Sequence, residues 1–155
     1  MKNYYVRLAL FLVLNFAALG IGGFLMGESP GTSEWYNSMN QAPWTPPGIF
    51  FGIAWTVIML CFSFYMAKLV EYPNKQLVYG LFAVQWILNV GWNYVFFNQH
   101  LVLFGLIWIA TLAVLIAYFF VRFRQYLGNF AWLIVPYVLW LIIATSLNAY
   151  IWIYN

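Results

Sequence analysis

Charge is what this 155-residue chain has least of: six Lys/Arg and three Asp/Glu make only 6% charged residues. A soluble domain of this length carries about a quarter charged residues to keep its surface hydrated. With 66% hydrophobic residues and a mean hydropathy of +0.84, lipid must replace water as the solvent for most of the surface. One His, one Cys and three acids exclude a metal cluster, an internal disulfide and a conventional catalytic triad. The net charge of +3 arises from cations that are few and spread along the chain. That pattern implies a role in membrane orientation and excludes a nucleic-acid surface.

Apolar runs are what the chain has in abundance. A bilayer core needs about 20 mostly apolar residues per helix. Five stretches qualify: Val6–Met26, Ile49–Val70, Leu77–Asn98, Val102–Phe123 and Phe130–Tyr154. The first reads as a retained helix, because its apolar run continues through Asn15 beyond the length of a removable export signal. The expectation is an all-α membrane protein, a single domain over residues 1–155 built as a five-transmembrane-helix bundle. Residues 27–48, rich in Gly, Ser, Pro, Asn and Trp, form its one long loop, while short connections make sequential helices antiparallel neighbours. Lys2, Arg7, Lys68, Lys75, Arg122 and Arg124 all fall at the N-terminus or in the second and fourth connections. With five spans these places share one side of the membrane. The positive-inside rule therefore puts the N-terminus in the cytosol and the Trp-rich first loop outside, with a bacterial cell membrane as the expected location.

Nine Trp, twelve Tyr and fifteen Phe are too many for interfacial belts alone. Trp55, Trp92 and Trp140 lie well inside their spans. On the third span Gln85, Asn89, Trp92, Asn93 and Phe96 share one helical face. Carboxamides in hydrocarbon need partners. Gln85 reads as packing glue between helices, and Asn89, Asn93 and Asn148 as pocket lining, for a reason of depth. Asn89 lies about 15 Å below Gln99, Asn148 about 10 Å below the C-terminus and Trp55 about 12 Å below Pro47, at about 1.5 Å per residue. All three gather in the outer half, beneath the loop. On the fifth span Pro136, Trp140, Ala144 and Asn148 share a face, Pro136 is expected to kink the helix, and Ala144 leaves room for a flat ligand.

The run Trp35-Tyr36, then Pro43-Trp44-Thr45-Pro46-Pro47-Gly48, then Trp55, resembles the first-loop signature of the translocator protein family, also called tryptophan-rich sensory proteins or peripheral benzodiazepine receptors. Gln85-Trp86-Ile87-Leu88-Asn89-Val90-Gly91-Trp92 with Phe96-Phe97 resembles that family's third helix. Pro136-Tyr137-Val138-Leu139-Trp140 with Ala144 and Leu147-Asn148 resembles its fifth. The resemblance covers nearly the whole chain. It implies an often dimeric bundle whose first loop lids a pocket for porphyrins, haem-like tetrapyrroles, sterols or synthetic ligands. Tyr36, Trp55, Asn89, Trp92, Trp140 and Ala144 would line that pocket by position. Three positions depart from the family pattern: Ala42 stands where a Pro is usual, Ala110 where an acid is common, and no Lys or Arg follows Tyr150. The last disfavours sterol binding by the family's recognition pattern.

The functional expectation is a membrane receptor for hydrophobic planar ligands, most of all porphyrins, serving tetrapyrrole or stress regulation, with no required cofactor and no metal. Its partners are the lipid bilayer, the ligand and a second copy of the chain, with no nucleic acid. Its ligand-binding residues are Tyr36, Trp44, Trp55, Asn89, Trp92, Asn93, Phe96, Trp140, Ala144 and Asn148. The alternatives are a transporter of porphyrins or sterols, and a light- and oxygen-dependent porphyrin-degrading enzyme in which Trp55 and Trp140 would supply electron-rich indoles. Transport is disfavoured by the lack of an inverted repeat and of a mid-membrane ionisable residue.

Overall fold

The computed structural model describes residues 2–155, and the side chain of Lys2, one of the six cations counted above, lies outside the described residues. Helix α1 spans Lys2–Met26, and a short helix α2, Glu34–Ser38, lies in the connection that follows. Then come α3, Gly48–Leu69, α4, Lys75–Asn93, α5, Val102–Leu127, and α6, Val135–Tyr154. A π-helical turn, Tyr94–Asn98, prolongs α4, and a 3-10 segment, Gly128–Ile134, joins α5 to α6. Among the described residues every regular element is helical. Three stretches are long and apolar enough to cross a membrane: Asn3–Met26, Gly48–Leu69, and the 53-residue run Val102–Tyr154 that holds both α5 and α6. Helix α4 is not among them, because Gln85, Asn89 and Asn93 dilute its apolar content.

Local chemistry sets the ends of these elements. Asn74 caps α4 by accepting from the Leu77 N–H at 3.0 Å, and Ser33 caps α2 by accepting from the Tyr36 N–H at 3.2 Å. Gly128 ends α5 with φ +56, a conformation glycine adopts without steric cost. Pro136 does not kink a long helix. It occupies the first turn of α6, where its missing N–H has no helical partner to lose, and the chain before it runs as the 3-10 segment.

Helix α1 packs against α3 and α4, and α5 against α4 and α6. The fully buried rings of Phe62, Tyr65, Phe119 and Tyr137 form the centre of the core. Phe62 meets Tyr137 edge-on with ring centroids 5.4 Å apart. Outward-facing Val6, Val13, Phe24, Ile49, Val114 and Val121 are exposed, as expected of helices solvated by lipid. Because lipid gives little hydrophobic drive for helix pairing, polar links carry part of the specificity. Asn15 Nδ2 donates to Ser63 Oγ at 2.9 Å, Gln85 Nε2 to the Tyr137 hydroxyl at 2.8 Å, and Trp86 Nε1 to the Leu14 carbonyl at 2.9 Å.

The two ends of the bundle differ in chemistry. At one end Glu71 pairs with Arg7 at 2.6 Å and with Lys68, and Arg122 donates to the Tyr72 hydroxyl at 2.8 Å. At the other end the connection between α1 and α3 is fastened across the C-terminus of α6. The Asn40 N–H donates to Asn155 Oδ1 at 2.8 Å, Asn40 Nδ2 to the Tyr154 carbonyl at 3.0 Å, and Asn155 Nδ2 to the Asn40 carbonyl at 3.2 Å. Trp35 stacks flat on His100 with centroids 4.1 Å apart.

Candidate ligand-binding site

A cavity of about 320 Å³ lies between α1, α3 and α4, beneath the fastened connection. Helix α3 contributes Trp55, Phe51 and Gly52, and α4 contributes Asn89, Trp92 and Asn93. Helix α1 contributes Ala18, Leu19, Gly23 and Met26, while Ser29 and Pro30 close the top. Phe97, from the π-helical turn, completes the wall. Aromatic and aliphatic groups dominate, with a few carboxamides among them, the usual make-up of a site for a flat apolar molecule.

Spacing on α4 decides which groups reach this space. Asn89, Asn93 and Phe97 follow one another at intervals of four, on one helical face. The π-helical turn, closed by the Gln99 N–H on the Tyr94 carbonyl at 2.9 Å, spreads neighbouring side chains over a smaller angle. Phe96 and Phe97 are therefore both buried. Phe97 enters the cavity wall, whereas Phe96 packs against Trp92, with centroids 5.8 Å apart. Gly22 on α1 makes room for Asn93, since a Cβ there would come within 2.6 Å of Asn93 Nδ2.

The polar groups divide into fastened and free. Trp92 Nε1 donates to Asn148 Oδ1 at 3.3 Å, and Asn148 Nδ2 donates to the Ala144 carbonyl at 3.0 Å. Asn148 thus holds Trp92 from behind and is absent from the cavity wall. Asn93 Nδ2 donates to the Asn89 backbone carbonyl at 3.1 Å, while among the described residues no hydrogen bond engages the Asn89 carboxamide, which lies at the wall. No cation lines the space among the described residues.

Of the residues singled out from the sequence, Trp55, Asn89, Trp92 and Asn93 share this cavity. Tyr36 lines a neighbouring chamber within the connection. Trp140 does not line the cavity; it lies edge-on against Phe51, which does, with centroids 5.4 Å apart. Ala144 is buried beside it. Trp44 is largely exposed and donates through Nε1 to Ser146 Oγ at 3.0 Å, a fastening of the connection onto α6. The contributions of α1 were not foreseen. Ala18, Leu19 and Gly23 carry no polar or aromatic signal, and only the packing of α1 on α3 and α4 reveals them.

Comparison with known proteins places this geometry in a family. The chain is 31% identical to protein CrtK of Rhodobacter capsulatus, over 97% of its own length and 95% of the relative's. It is 30% identical to the tryptophan-rich protein TspO of Chlorobaculum tepidum, covering 84% and 85% of the two chains. With the translocator protein of Bos taurus it shares 28% identity over 85% and 82%. The profile of the TspO/MBR family matches residues 10–153. That match runs from within α1 to the last turn of α6 and takes in every wall of the cavity, and the chain belongs to the TspO/MBR family.

Proposed function

We propose that the protein is an integral membrane receptor that takes flat hydrophobic ligands, porphyrins and related tetrapyrroles foremost, into the cavity beneath the connection between α1 and α3. The observation that carries this reading is a partly open space walled by Trp55 and Trp92, with no cation among its described lining residues and the Asn89 carboxamide at its wall. Indole faces stack on a macrocycle, and a single amide fixes its orientation. Helices α1, α3, α4, α5 and α6 each cross the bilayer in this reading. The polar groups of α4 face inward, which lets a less apolar helix sit in lipid. The Arg7–Glu71–Lys68 cluster and Arg122 mark the cytosolic end, and the fastened connection lies outside. Bacterial relatives support a bacterial cell membrane as its location.

The cavity sits at the small end of the range of about 300–1,000 Å³ for ligand sites. A tetrapyrrole therefore extends beyond it or lifts the connection on entry. Titrating the purified protein with protoporphyrin while following tryptophan emission tests the proposal. Saturable quenching is expected, with the apparent affinity falling about tenfold or more in Trp55→Ala and Asn89→Leu, the loss of one stacking face or one buried hydrogen bond. Quenching that is unaltered in both variants would place the ligand elsewhere.

A further inference from the structure

A second chamber, of about 330 Å³, adjoins the first, and Pro30, Gly48 and Phe51 belong to the walls of both. Its chemistry is the opposite of its neighbour's. Tyr36, Asn37, Gln41 and Thr45 line it, all from the connection between α1 and α3. Tyr36 is only 4% exposed, yet the hydrogen bonds it makes with side chains use its backbone. Its N–H donates to Ser33 Oγ, and its carbonyl accepts from Gln41 Nε2 at 2.8 Å. Among the described residues no hydrogen bond engages the phenol, and Tyr36 stands on the chamber wall, so its hydroxyl can donate to water or to a ligand there. Burial pushes this phenol up to about 12, so it keeps its proton at physiological pH.

The start of α3 adds donors. Gly48 opens the helix, and Pro47 before it supplies no side-chain acceptor to the first turn. First-turn N–H groups carry the positive end of the helix dipole and favour an anion. The carboxylates of this connection, Glu28 and Glu34, are exposed and absent from the chamber wall. At the Gly31–Gly48 contact the backbones touch, since a Cβ on Gly48 would come within 2.7 Å of Gly31 Cα, so a ligand that spans both chambers parts this contact as the connection lifts.

We propose that this polar chamber receives the carboxylate end of an amphipathic ligand whose flat apolar body fills the cavity below. The proposal rests on the receptor reading above and adds to it how an acidic ligand is held without a cation. The Tyr36 phenol, the Thr45 hydroxyl and the first turn of α3 donate to the carboxylate, and Phe51 stands at the join.

The test compares protoporphyrin, which carries two carboxylates, with its dimethyl ester, by tryptophan quenching in one detergent. The wild-type protein is expected to bind the diacid about tenfold tighter, the scale of hydrogen bonds to one charged group. Tyr36→Phe and Thr45→Val are each expected to shrink that preference severalfold, and ester binding by each variant shows that it is folded. Trp55→Ala is expected to weaken both probes and keep their ratio. Equal affinity for diacid and ester in the wild type, or a preference that survives Tyr36→Phe combined with Thr45→Val, overturns the polar chamber while leaving the receptor reading standing. Absence of binding by either probe overturns the receptor reading and this proposal with it.

Discussion

Asn89, Asn93 and Asn148 are the same side chain in three employments. Asn148 is buried and spends both ends of its amide, one on the Trp92 indole and one on its own helix. Asn93 bonds back to α4, and Asn89 keeps its carboxamide for the cavity. Asn148→Leu should therefore leave the cavity walls chemically intact but release the Trp92 indole. The expected result is a shift in tryptophan emission with a smaller loss of protoporphyrin affinity than Asn89→Leu shows. A second residue-scale prediction concerns the backbone contact between Gly31 and Gly48. Gly48→Val puts a branched side chain where a Cβ already collides with Gly31 backbone. It should cost about 1–3 kcal/mol of stability, read as a lowered thermal midpoint. What could be read from the sequence at this scale follows from contrast. Trp55, Asn89, Trp92 and Asn93 stand out because indoles and amides are conspicuous in apolar helices. Ala18, Leu19 and Gly23 are indistinguishable from lipid-facing residues until the partner helices are in place.

The connection between α1 and α3 behaves as a fastened element rather than a slack one. Its hold on α6 is concentrated in the exchange between Asn40 and Asn155 and in the Trp44–Ser146 hydrogen bond. Asn155→Ala removes both hydrogen bonds of that exchange. It should speed both association and release of protoporphyrin in stopped-flow quenching, with little change in thermal midpoint, since exposed hydrogen bonds are worth about 1 kcal/mol or less each. The opposite end is held by charge. Lys68, through its hydrogen bond, and then Arg7 hold the Glu71 carboxyl below the ordinary carboxylate value. A depressed folded pKa stabilises at pH above the unfolded value of about 4.3 and loses that contribution as pH falls through the folded one. Glu71→Gln should therefore lower the thermal midpoint slightly at pH 7, and the gap from wild type should close as pH drops below about 4. The cluster is partly exposed, so the effect should shrink in high salt. At this scale the helical, apolar character was plain from composition. The π-helical turn after Asn93 and the 3-10 segment before Pro136 were not, because both arise where packing of neighbouring helices overrides the local period.

For the whole molecule, the polar interior and the apolar exterior make one argument. Gln85, Asn89 and Asn93 on α4 point toward α1, α3 and α6, while Val, Ile and Phe side chains cover the outside, which is why the proposed function embeds α4 in lipid beside the more apolar helices. Composition made this legible, since so few charges cannot wet such a surface. It could not show that the space under the connection is split into an apolar and a polar chamber, because that division depends on where Gly31, Gly48 and Phe51 meet in three dimensions. The most direct measurement of the central claim is a structure of the protein with protoporphyrin bound. The account predicts the macrocycle between Trp55 and Trp92, within reach of Asn89 and beneath the connection. A macrocycle lying instead on the exposed surface of α3 around Ile53 and Val57, with the cavity unfilled, would contradict it.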